Sequence, residues 1–322
     1  MSIIVVSPGL LTTIQDFGRI GFQETGFSPS GVMDQKAMRL ANLLVNNSPE
    51  EAVIEMTYLG ATLEFTCTCM IAITGGYFTP KVNDNEIPMY TSIMINSGDV
   101  LQLGFATDGC RAYLAIAGGL NILKVLGSKS TNLKCNIGGF HGRKLASGDC
   151  IPLCEPKYRV NDIGNRSLLK NKFIQSYRNE IKSKEITVRV ILGPQKDYFT
   201  EGGISTFLTE TYTITNETDR MGCKLEGTPV GYHSTVDIIS DGIPLGGIQI
   251  PPNGKPIVML ADRQTTGGYA KIGTVISVDL PKFVQRKPGE KVRFEEVTLH
   301  HAQKIYQREV KQMERLRRAL VE

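Results

Sequence analysis

The chain has 322 residues, of which 41% are hydrophobic and 21% are charged, and its net charge is +4. These values are typical of a soluble globular protein with room for two domains. Much of the positive charge lies between residues 304 and 318, which favours a solvated helix face over a nucleic-acid-binding surface. No apolar run approaches the roughly 20 residues that cross a bilayer, and the first residues do not resemble a signal peptide. We expect a cytoplasmic protein that binds neither nucleic acid nor a membrane.

Several common catalytic patterns are absent from the sequence. The seven cysteines and four histidines form neither a C-x-x-C pair nor a zinc-ligand spacing. There is no G-x-S-x-G nucleophile elbow, and residues 127–131 lack the first glycine of a Walker sequence. We therefore predict reduced thiols, no metal site and no conventional nucleophile.

The spacing of apolar residues predicts two clear helices. The first covers about residues 33–45, and Ser30 or Asp34 can cap its N-terminus. The second covers residues 297–320 and is amphipathic, with lysine and arginine on its outer face. Short runs rich in β-branched residues predict strands between them, at residues 62–65, 70–73, 92–95, 100–103, 112–116 and 187–192.

The polar segment 155–184 is rich in asparagine, lysine and arginine, which favours a linker that contains a short helix. The sequence therefore predicts a mostly β protein with two halves. The first covers residues 1–184, with its linker from about residue 155, and the second covers residues 185–322, including the terminal helix.

Three sequence patterns occur in both halves in the same order, which indicates an internal repeat. Residues 16–26 align without a gap to residues 217–227, and both carry an acid, an arginine and two glycines at equal spacing. Thr-Gly-Gly-Tyr occurs at residues 74–77 and 266–269, and residues 97–103 match residues 288–294. We infer two related, barrel-like halves with a cleft between them, where small molecules commonly bind.

The richest set of polar groups lies at residues 262–269, between two apolar runs of strand length. We interpret it as a turn, with Thr-Gly-Gly-Tyr as inherited scaffold. The first copy is preceded by an apolar strand, whereas the second is preceded by Asp262, Arg263, Gln264 and Thr265. Because a turn needs no such groups, the sequence predicts a functional site there.

Other residues could bind an anion. Arg19 and Arg220 lie beside glycines, and a guanidinium suits carboxylate or phosphate. Alternatively, each arginine pairs with an acid such as Asp16 or Asp219 to fix a loop.

Two further segments carry both a functional and a structural interpretation. Residues 28–34 enter the first helix, where free N–H groups attract anions, although a simple N-cap also explains them. Gln249 alternates with two isoleucines, so its amide points away from their face, either into a site or to solvent.

The motifs at residues 7–19, 28–34, 127–131, 138–143 and 249–269 together resemble the biotin-dependent carboxyltransferase, or allophanate hydrolase subunit 2, family. The resemblance runs from about residue 4 to 303. Bacterial stand-alone members of the family include the C subunit of 5-oxoprolinase and the antagonist of the Kip sporulation-kinase inhibitor.

The resemblance implies two cyclophilin-like β-barrel domains with a few helices. It implies two partners, the Kip-inhibitor-like B subunit of 5-oxoprolinase and its A subunit. With them the chain is expected to hydrolyse 5-oxo-L-proline to L-glutamate at the expense of ATP, a cofactor that it shares with these subunits. Two other activities fit the family: non-catalytic antagonism of a kinase inhibitor that resembles the B subunit, and carboxyl transfer from biotin to urea or a related amide. The sequence has no Met-Lys-Met tripeptide, so we expect any biotin to be attached to another protein.

With these expectations, we assign two sets of candidate site residues. The candidate catalytic residues are Arg19, Arg220, Asp262, Arg263 and Gln264. The candidate substrate-binding or anion-binding residues are Asp16, Ser30, Gly31, Gln249, Thr265, Thr266 and Tyr269.

Overall fold

A computed structural model of the chain describes residues 1–156 and 164–321. Part of the predicted linker, residues 157–163, lies outside the described residues. The chain divides into two units. The first consists of Met1–Ile20, Ser30–Lys182 and Arg317–Glu322, and the second consists of Gly21–Pro29 and Ser183–Leu316.

The first unit is built mainly from short antiparallel strands. Within the described residues they are β1 (Ser2–Ser7), β2 (Leu11–Gln15), β3 (Val53–Thr57), β4 (Thr62–Phe65), β5 (Cys69–Tyr77), β6 (Lys81–Val82), β7 (Asn85–Glu86), β8 (Ser92–Ile95), β9 (Val100–Gln102), β10 (Asp108–Ile116) and β11 (Cys150–Pro152). They form a six-stranded sheet in the order β11-β1-β4-β9-β6-β7 and a five-stranded sheet in the order β2-β3-β10-β5-β8.

Two helices complete the described part of the first unit, α1 (Gln35–Leu44) and α2 (Lys172–Lys182). α1 packs on β5 and β10, so these two central strands are buried along almost their whole length. The side chain of Asp34 accepts a hydrogen bond of 2.9 Å from Ala37 N. This contact confirms Asp34 as the N-cap of the predicted first helix.

The second unit contains a closed barrel. Its strands are β12 (Glu185–Leu192), β13 (Tyr212–Thr218), β14 (Gly222–Glu226), β15 (Asp237–Gly242), β16 (Gly247–Gln249), β17 (Ile257–Met259), β18 (Thr266–Tyr269), β19 (Lys271–Val275) and β20 (Lys291–Glu296). Seven of them close in the order β12-β19-β16-β17-β14-β13-β20, and β15 pairs with β18 in a two-stranded ribbon. The expectation of a mostly β protein is confirmed.

The barrel interior is filled by alternate residues of its strands, as a period of two requires. Ile248, Val258 and Leu225 are at most 1% exposed. Phe294 stacks on Phe207 with ring centroids 4.5 Å apart. Phe207 belongs to α3 (Glu201–Thr209), so this helix packs its aromatic ring against the strand β20.

The second unit also contains α4 (Leu280–Val284) and most of the long α5 (Leu299–Val321), up to Leu316. α5 corresponds to the amphipathic helix predicted near the end of the sequence. Ala302 is buried in a cluster with Ile276 and Val297, and Ile305 packs against that cluster. The helix therefore contacts the barrel through its apolar face.

The interpretation of both Thr-Gly-Gly-Tyr segments as turns is wrong. Residues 266–269 form β18, which pairs with β15, and residues 74–77 are the end of β5, which pairs with β10. Both segments are stabilised by strand partners far away in the sequence, so their glycines do not mark a chain reversal. In the second copy, the polar residues that precede the motif form the connection between β17 and β18.

Candidate functional site

The second unit has a cavity of about 460 Å³ on its surface. Its walls come from β13, β14, β16, β17 and β18 and from the segments that follow β13 and precede β18. It is lined by Asn216, Glu217, Thr218, Asp219, Met221, Gly222, Lys224, Gln249, Ile257, Met259, Gln264 and Tyr269. Three of the predicted site residues, Gln249, Gln264 and Tyr269, therefore come together here.

Strand register places the cavity on the outer face of the barrel wall. Ile257 of β17 lies opposite Lys224 on one side and Gln249 on the other, and residues directly opposite on neighbouring strands share a face. The next position on the middle strand, Val258, is fully buried and points to the barrel interior. The same strands thus fill the barrel with one face and line the cavity with the other.

Gln249 is the most deeply buried polar side chain of the cavity wall, with 3% of its surface exposed. Within the described residues, its Nε2 atom has no hydrogen-bond partner. A buried amide without a partner is costly in free energy. The carboxamide of Gln249 is therefore suited to a ligand that supplies a polar atom.

Gly267 of β18 makes room for this carboxamide. A Cβ atom at that position would lie 2.7 Å from Gln249 Nε2 and 3.2 Å from Gln264 Nε2. The amide nitrogens of both glutamines therefore approach the same small volume beside the Gly267 main chain. Two carboxamides at one end of the cavity provide donors and acceptors without a net charge.

Arg220 and Asp262 form a buried ion pair next to the cavity. Arg220 Nε donates to Asp262 Oδ2 at 2.8 Å, and Arg220 Nη2 lies 3.3 Å from Oδ1. The main chain adds a hydrogen bond of 2.8 Å from Asp262 N to Arg220 O. Of the two alternatives for Arg220, pairing with an acid is what the structure shows, and the acid is Asp262. The ion pair therefore links the segment that carries Gln264 to the segment that carries Met221.

Arg263 is also buried, but its contacts are with the main chain. Its Nε atom donates to Ile243 O at 2.8 Å and its Nη1 atom to Leu260 O at 3.3 Å. Burial lowers the pKa of the Arg263 guanidinium to about 10, because a charged group loses its hydration there. Arg263 therefore stabilises the loop before β18 through buried hydrogen bonds to the main chain.

The two threonines of this loop lie nearer the surface. Thr265 is half-buried, and its carbonyl accepts a hydrogen bond of 3.0 Å from Ile243 N. Thr266 is exposed and begins β18. Tyr269 ends that strand with 38% of its surface exposed, so its ring borders the mouth of the cavity.

The predicted residues Asp16 and Arg19 belong to the first unit, where both are buried. Asp16 Oδ1 accepts hydrogen bonds from the hydroxyls of Ser128 and Ser130, both at 2.5 Å, and Asp16 Oδ2 accepts one from Lys129 N at 2.6 Å. The donors of the loop at residues 127–131 are thus used by a carboxylate of the chain itself.

Arg19 contacts the same loop from its other side. Its side chain is fully buried and donates to Val125 O at 3.2 Å and to Ser130 O. Gly138, with a φ of +66°, allows this packing, because a Cβ there would lie 2.1 Å from Arg19 Nη2. Asp16 and Arg19 together fix the loop.

Ser30 and Gly31 precede α1 in the first unit. Ser30 has a φ of 55°, and its hydroxyl accepts a hydrogen bond of 3.1 Å from Asn132 Nδ2. Gly31 has a φ of +91°, and a Cβ there would lie 2.9 Å from Phe17 O. Main-chain N–H groups just before α1 already have an acidic partner, since Glu55 Oε2 accepts a hydrogen bond of 2.8 Å from Met33 N.

The sequence did not point to several of the lining residues, above all Lys224 and Glu217, which form an ion pair within the cavity lining. A signal was available in the repeat, because Lys224 aligns with Gln23 of the first copy. A lysine in a strand of alternating polar and apolar residues is ordinarily assigned to solvent, so the difference between Lys224 and Gln23 did not indicate a site.

The described residues contain no group of three or more histidine, cysteine, aspartate or glutamate side chains arranged to hold a metal ion. No helix in the same part of the chain combines the length and hydropathy needed to span a membrane.

The family of the chain is defined by its match to a family model. Residues 25–296 match the carboxyltransferase domain, subdomain A and B, and the chain belongs to this family. The match includes the whole barrel and every strand that lines the cavity.

Particular relatives agree with this assignment. The chain is 33% identical to the C subunit of 5-oxoprolinase from Escherichia coli (strain K12), over 97% of this chain and 96% of the relative. It is 31% identical to the Haemophilus influenzae protein of the same name, over 96% of both chains. Among solved structures, urea amidolyase of K. lactis superposes with a TM-score of 0.90 at 28% identity, covering 98% of this chain and 20% of that one.

Proposed function

We propose that this chain is the C subunit of an ATP-dependent 5-oxoprolinase, which works with the A and B subunits to hydrolyse 5-oxo-L-proline to L-glutamate. The observation that carries the proposal is the extent of the match. Both relatives named as the C subunit of 5-oxoprolinase align over at least 96% of each chain, whereas a urea amidolyase from Lachancea kluyveri aligns over 17% of its own length. The match therefore covers nearly the whole of each relative that is named as this subunit.

The cavity on the second unit suits a small cyclic amide. The amide of a lactam ring is held cis, so its N–H and C=O lie side by side. A primary carboxamide presents a donor and an acceptor in the same arrangement, and the unpartnered Gln249 Nε2 can donate to the lactam oxygen. Ile257, Met221 and Met259 of the lining provide apolar contacts for the ring methylenes.

The chemistry explains why such a site is useful. An unstrained lactam is a poor electrophile, and transfer of phosphate from ATP to its oxygen creates a leaving group. In this proposal, Gln249 and Gln264 bind and orient the amide, and the Arg220–Asp262 pair holds the loop that carries Gln264.

Two groups of this chain that could bind a nucleotide phosphate are already engaged by carboxylates of the chain itself. The loop at residues 127–131 uses its donors on Asp16, and Arg220 is neutralised by Asp262. We therefore assign the nucleotide to one of the partner proteins, and no step that involves phosphate is placed on this chain.

The proposal is tested by reconstitution. The chain is co-purified with the A and B subunits from the same organism, and L-glutamate release from 5-oxo-L-proline is measured with and without ATP. We expect ATP-dependent release, and we expect Gln249→Leu to reduce kcat/KM by about 100-fold, as for the loss of one oriented donor. Gln102→Leu, on the exposed end of β9, is the matched control and should behave like the wild type.

The same preparation distinguishes the alternatives. A stable complex that leaves 5-oxo-L-proline intact in the presence of ATP would contradict the proposal and favour a non-catalytic antagonist. Biotin-dependent carboxyl transfer is a second candidate, favoured by the match to the carboxyltransferase domain. It predicts carboxylation of urea when a biotinylated carrier protein is added.

A further inference from the structure

The cavity on the second unit has a charged end that the binding of an amide does not use. Lys224 and Glu217 line it and form an ion pair, with 52% and 71% of their side chains exposed. Exposed pairs of this kind shift an equilibrium by about fivefold or less. A carboxylate on a bound ligand can therefore replace Glu217 as the partner of Lys224 at little cost.

The register of the barrel strands fixes the distance between the two ends. Lys224 and Gln249 both lie opposite Ile257, so they are two strand spacings apart on the same face. With about 4.8 Å per strand, their Cα atoms lie roughly 10 Å from one another. The flexible four-carbon side chain of Lys224 can bring its ammonium group nearer to the Gln249 carboxamide than the Cα atoms are. The remaining space between the ammonium and the carboxamide suits a single five-membered ring.

Lys224 is the cationic side chain of the cavity lining that can pair with a ligand carboxylate. Asp219 Oδ1 accepts hydrogen bonds from Met221 N at 2.7 Å and from Gly222 N at 3.0 Å, so this carboxylate is used within the turn. Among the twelve described residues that line the cavity, Lys224 is the single lysine or arginine. The lining as a whole carries one lysine and two acids, Glu217 and Asp219, so a ligand carboxylate can form an ion pair within the cavity only with the Lys224 ammonium.

We propose that Lys224 binds the carboxylate of the ligand while Gln249 binds its cyclic amide, so that Lys224 is a specificity-determining residue. This inference rests on the proposed function, because 5-oxo-L-proline supplies both groups. The site then distinguishes a carboxylate-bearing lactam from neutral amides of similar size, such as 2-pyrrolidinone or urea. Glu217 is the internal competitor of the ligand for the same ammonium group.

Calorimetric titration of the 322-residue chain tests the assignment with two probes, 5-oxo-L-proline and 2-pyrrolidinone. We expect the wild type to bind 5-oxo-L-proline more tightly than 2-pyrrolidinone, by up to about fivefold, as for one partly exposed charge pair. Lys224→Met should remove that difference and leave the affinity for 2-pyrrolidinone unchanged. Glu217→Gln should tighten the binding of 5-oxo-L-proline alone. Lys255→Met, which removes a similar exposed pair with Glu226 outside the cavity, is the control and should change neither affinity.

Three results would overturn the assignment. They are equal weakening of both probes by Lys224→Met, an unchanged preference for 5-oxo-L-proline in that variant, and binding of neither probe by the wild-type chain. The failure of the proposed function is observed separately, as an absence of glutamate release from the complete complex. A chain that binds with the expected preference but supports no hydrolysis would uphold this inference and contradict the proposed function.

Discussion

The aligned segments 16–19 and 217–220 place the same residue types in different surroundings. In the first unit, Asp16 is buried and accepts hydrogen bonds from the loop at residues 127–131. In the second unit, the aligned Glu217 is exposed and pairs with Lys224 in the lining of the cavity. Both copies of the repeat therefore have an acid at this position, but in the first unit the acid stabilises a loop and in the second it lines a cavity.

The Thr-Gly-Gly-Tyr segments show a second difference of this kind. Gly75 has a φ of +101°, and a Cβ there would lie 2.4 Å from Arg111 O, so the main chain itself requires glycine. The corresponding Gly267 is not in the left-handed region, and an added Cβ would meet the movable ends of Gln249, Gln264 and Ile243. One glycine is needed for the fold, and the other leaves space for the cavity wall.

Replacing the aligned acids is the strongest test of this comparison. We expect Asp16→Ala to lower the free energy of unfolding by about 4 kcal/mol, because it leaves several buried donors without a partner. Glu217→Ala should leave stability unchanged within error. Urea denaturation of both variants is the measurement, and equal losses would show that the two acids have not diverged.

Alanine at the two glycines separates stability from recognition. Gly75→Ala should cost about 3 kcal/mol through backbone strain and overpacking. Gly267→Ala should cost about 1 kcal/mol or less, because side-chain ends can move, yet it should abolish the binding of 5-oxo-L-proline. Unfolding curves and calorimetric titration of both variants give the result. Loss of ligand binding in Gly75→Ala without loss of stability would reverse the comparison.

Each unit also holds an aspartate in a two-bond pair with an arginine, Arg143–Asp149 in the first and Arg189–Asp279 in the second. Burial raises the pKa of Asp279, but hydrogen bonds from Arg189 and the charge of Lys282 outweigh it, so the pKa lies below its usual range. The pKa of Asp149 is lowered mainly by the hydrogen bonds that its carboxylate accepts from Arg143.

These pairs give the smallest expected effect. A carboxyl group whose pKa is lowered by folding stabilises the fold at every pH above its pKa in the unfolded chain, which is near 4. This contribution is lost as the pH falls through the pKa of the folded state. Asp279→Asn should cost about 2 kcal/mol at pH 7, and the difference from the wild type should shrink toward pH 3. Asp149→Asn should cost less, because Arg143 is 42% exposed. Urea titrations at both pH values decide the order, and a larger cost for Asp149→Asn would contradict it.

Local patterns in the sequence were sufficient for much of the secondary structure. The predicted strands at residues 62–65 and 92–95 have the same bounds in the structure, because runs of β-branched and apolar residues determine them locally. Asp34 was among the predicted caps because capping depends on a few neighbouring residues. The same holds for α5, whose apolar spacing is visible over six turns.

The candidate site depended on contacts that the sequence does not display. Asp262 pairs with Arg220, 42 positions away, and the row of Lys224, Ile257 and Gln249 arises only from the register of three strands. Thr-Gly-Gly-Tyr resembles a turn because of its glycines, but its strand partners lie elsewhere in the chain. Long-range pairing therefore decided which polar residues share a surface.

The cavity and the barrel core use alternate residues of the same short strands. Ile248 and Val258 face inward, while their neighbours Gln249 and Ile257 face outward. A substitution on the outward positions can thus alter what is bound without removing any atom from the core. Such independence allows one scaffold to diversify by single steps, and relatives within this family carry the names of enzymes for two different substrates, 5-oxoproline and urea.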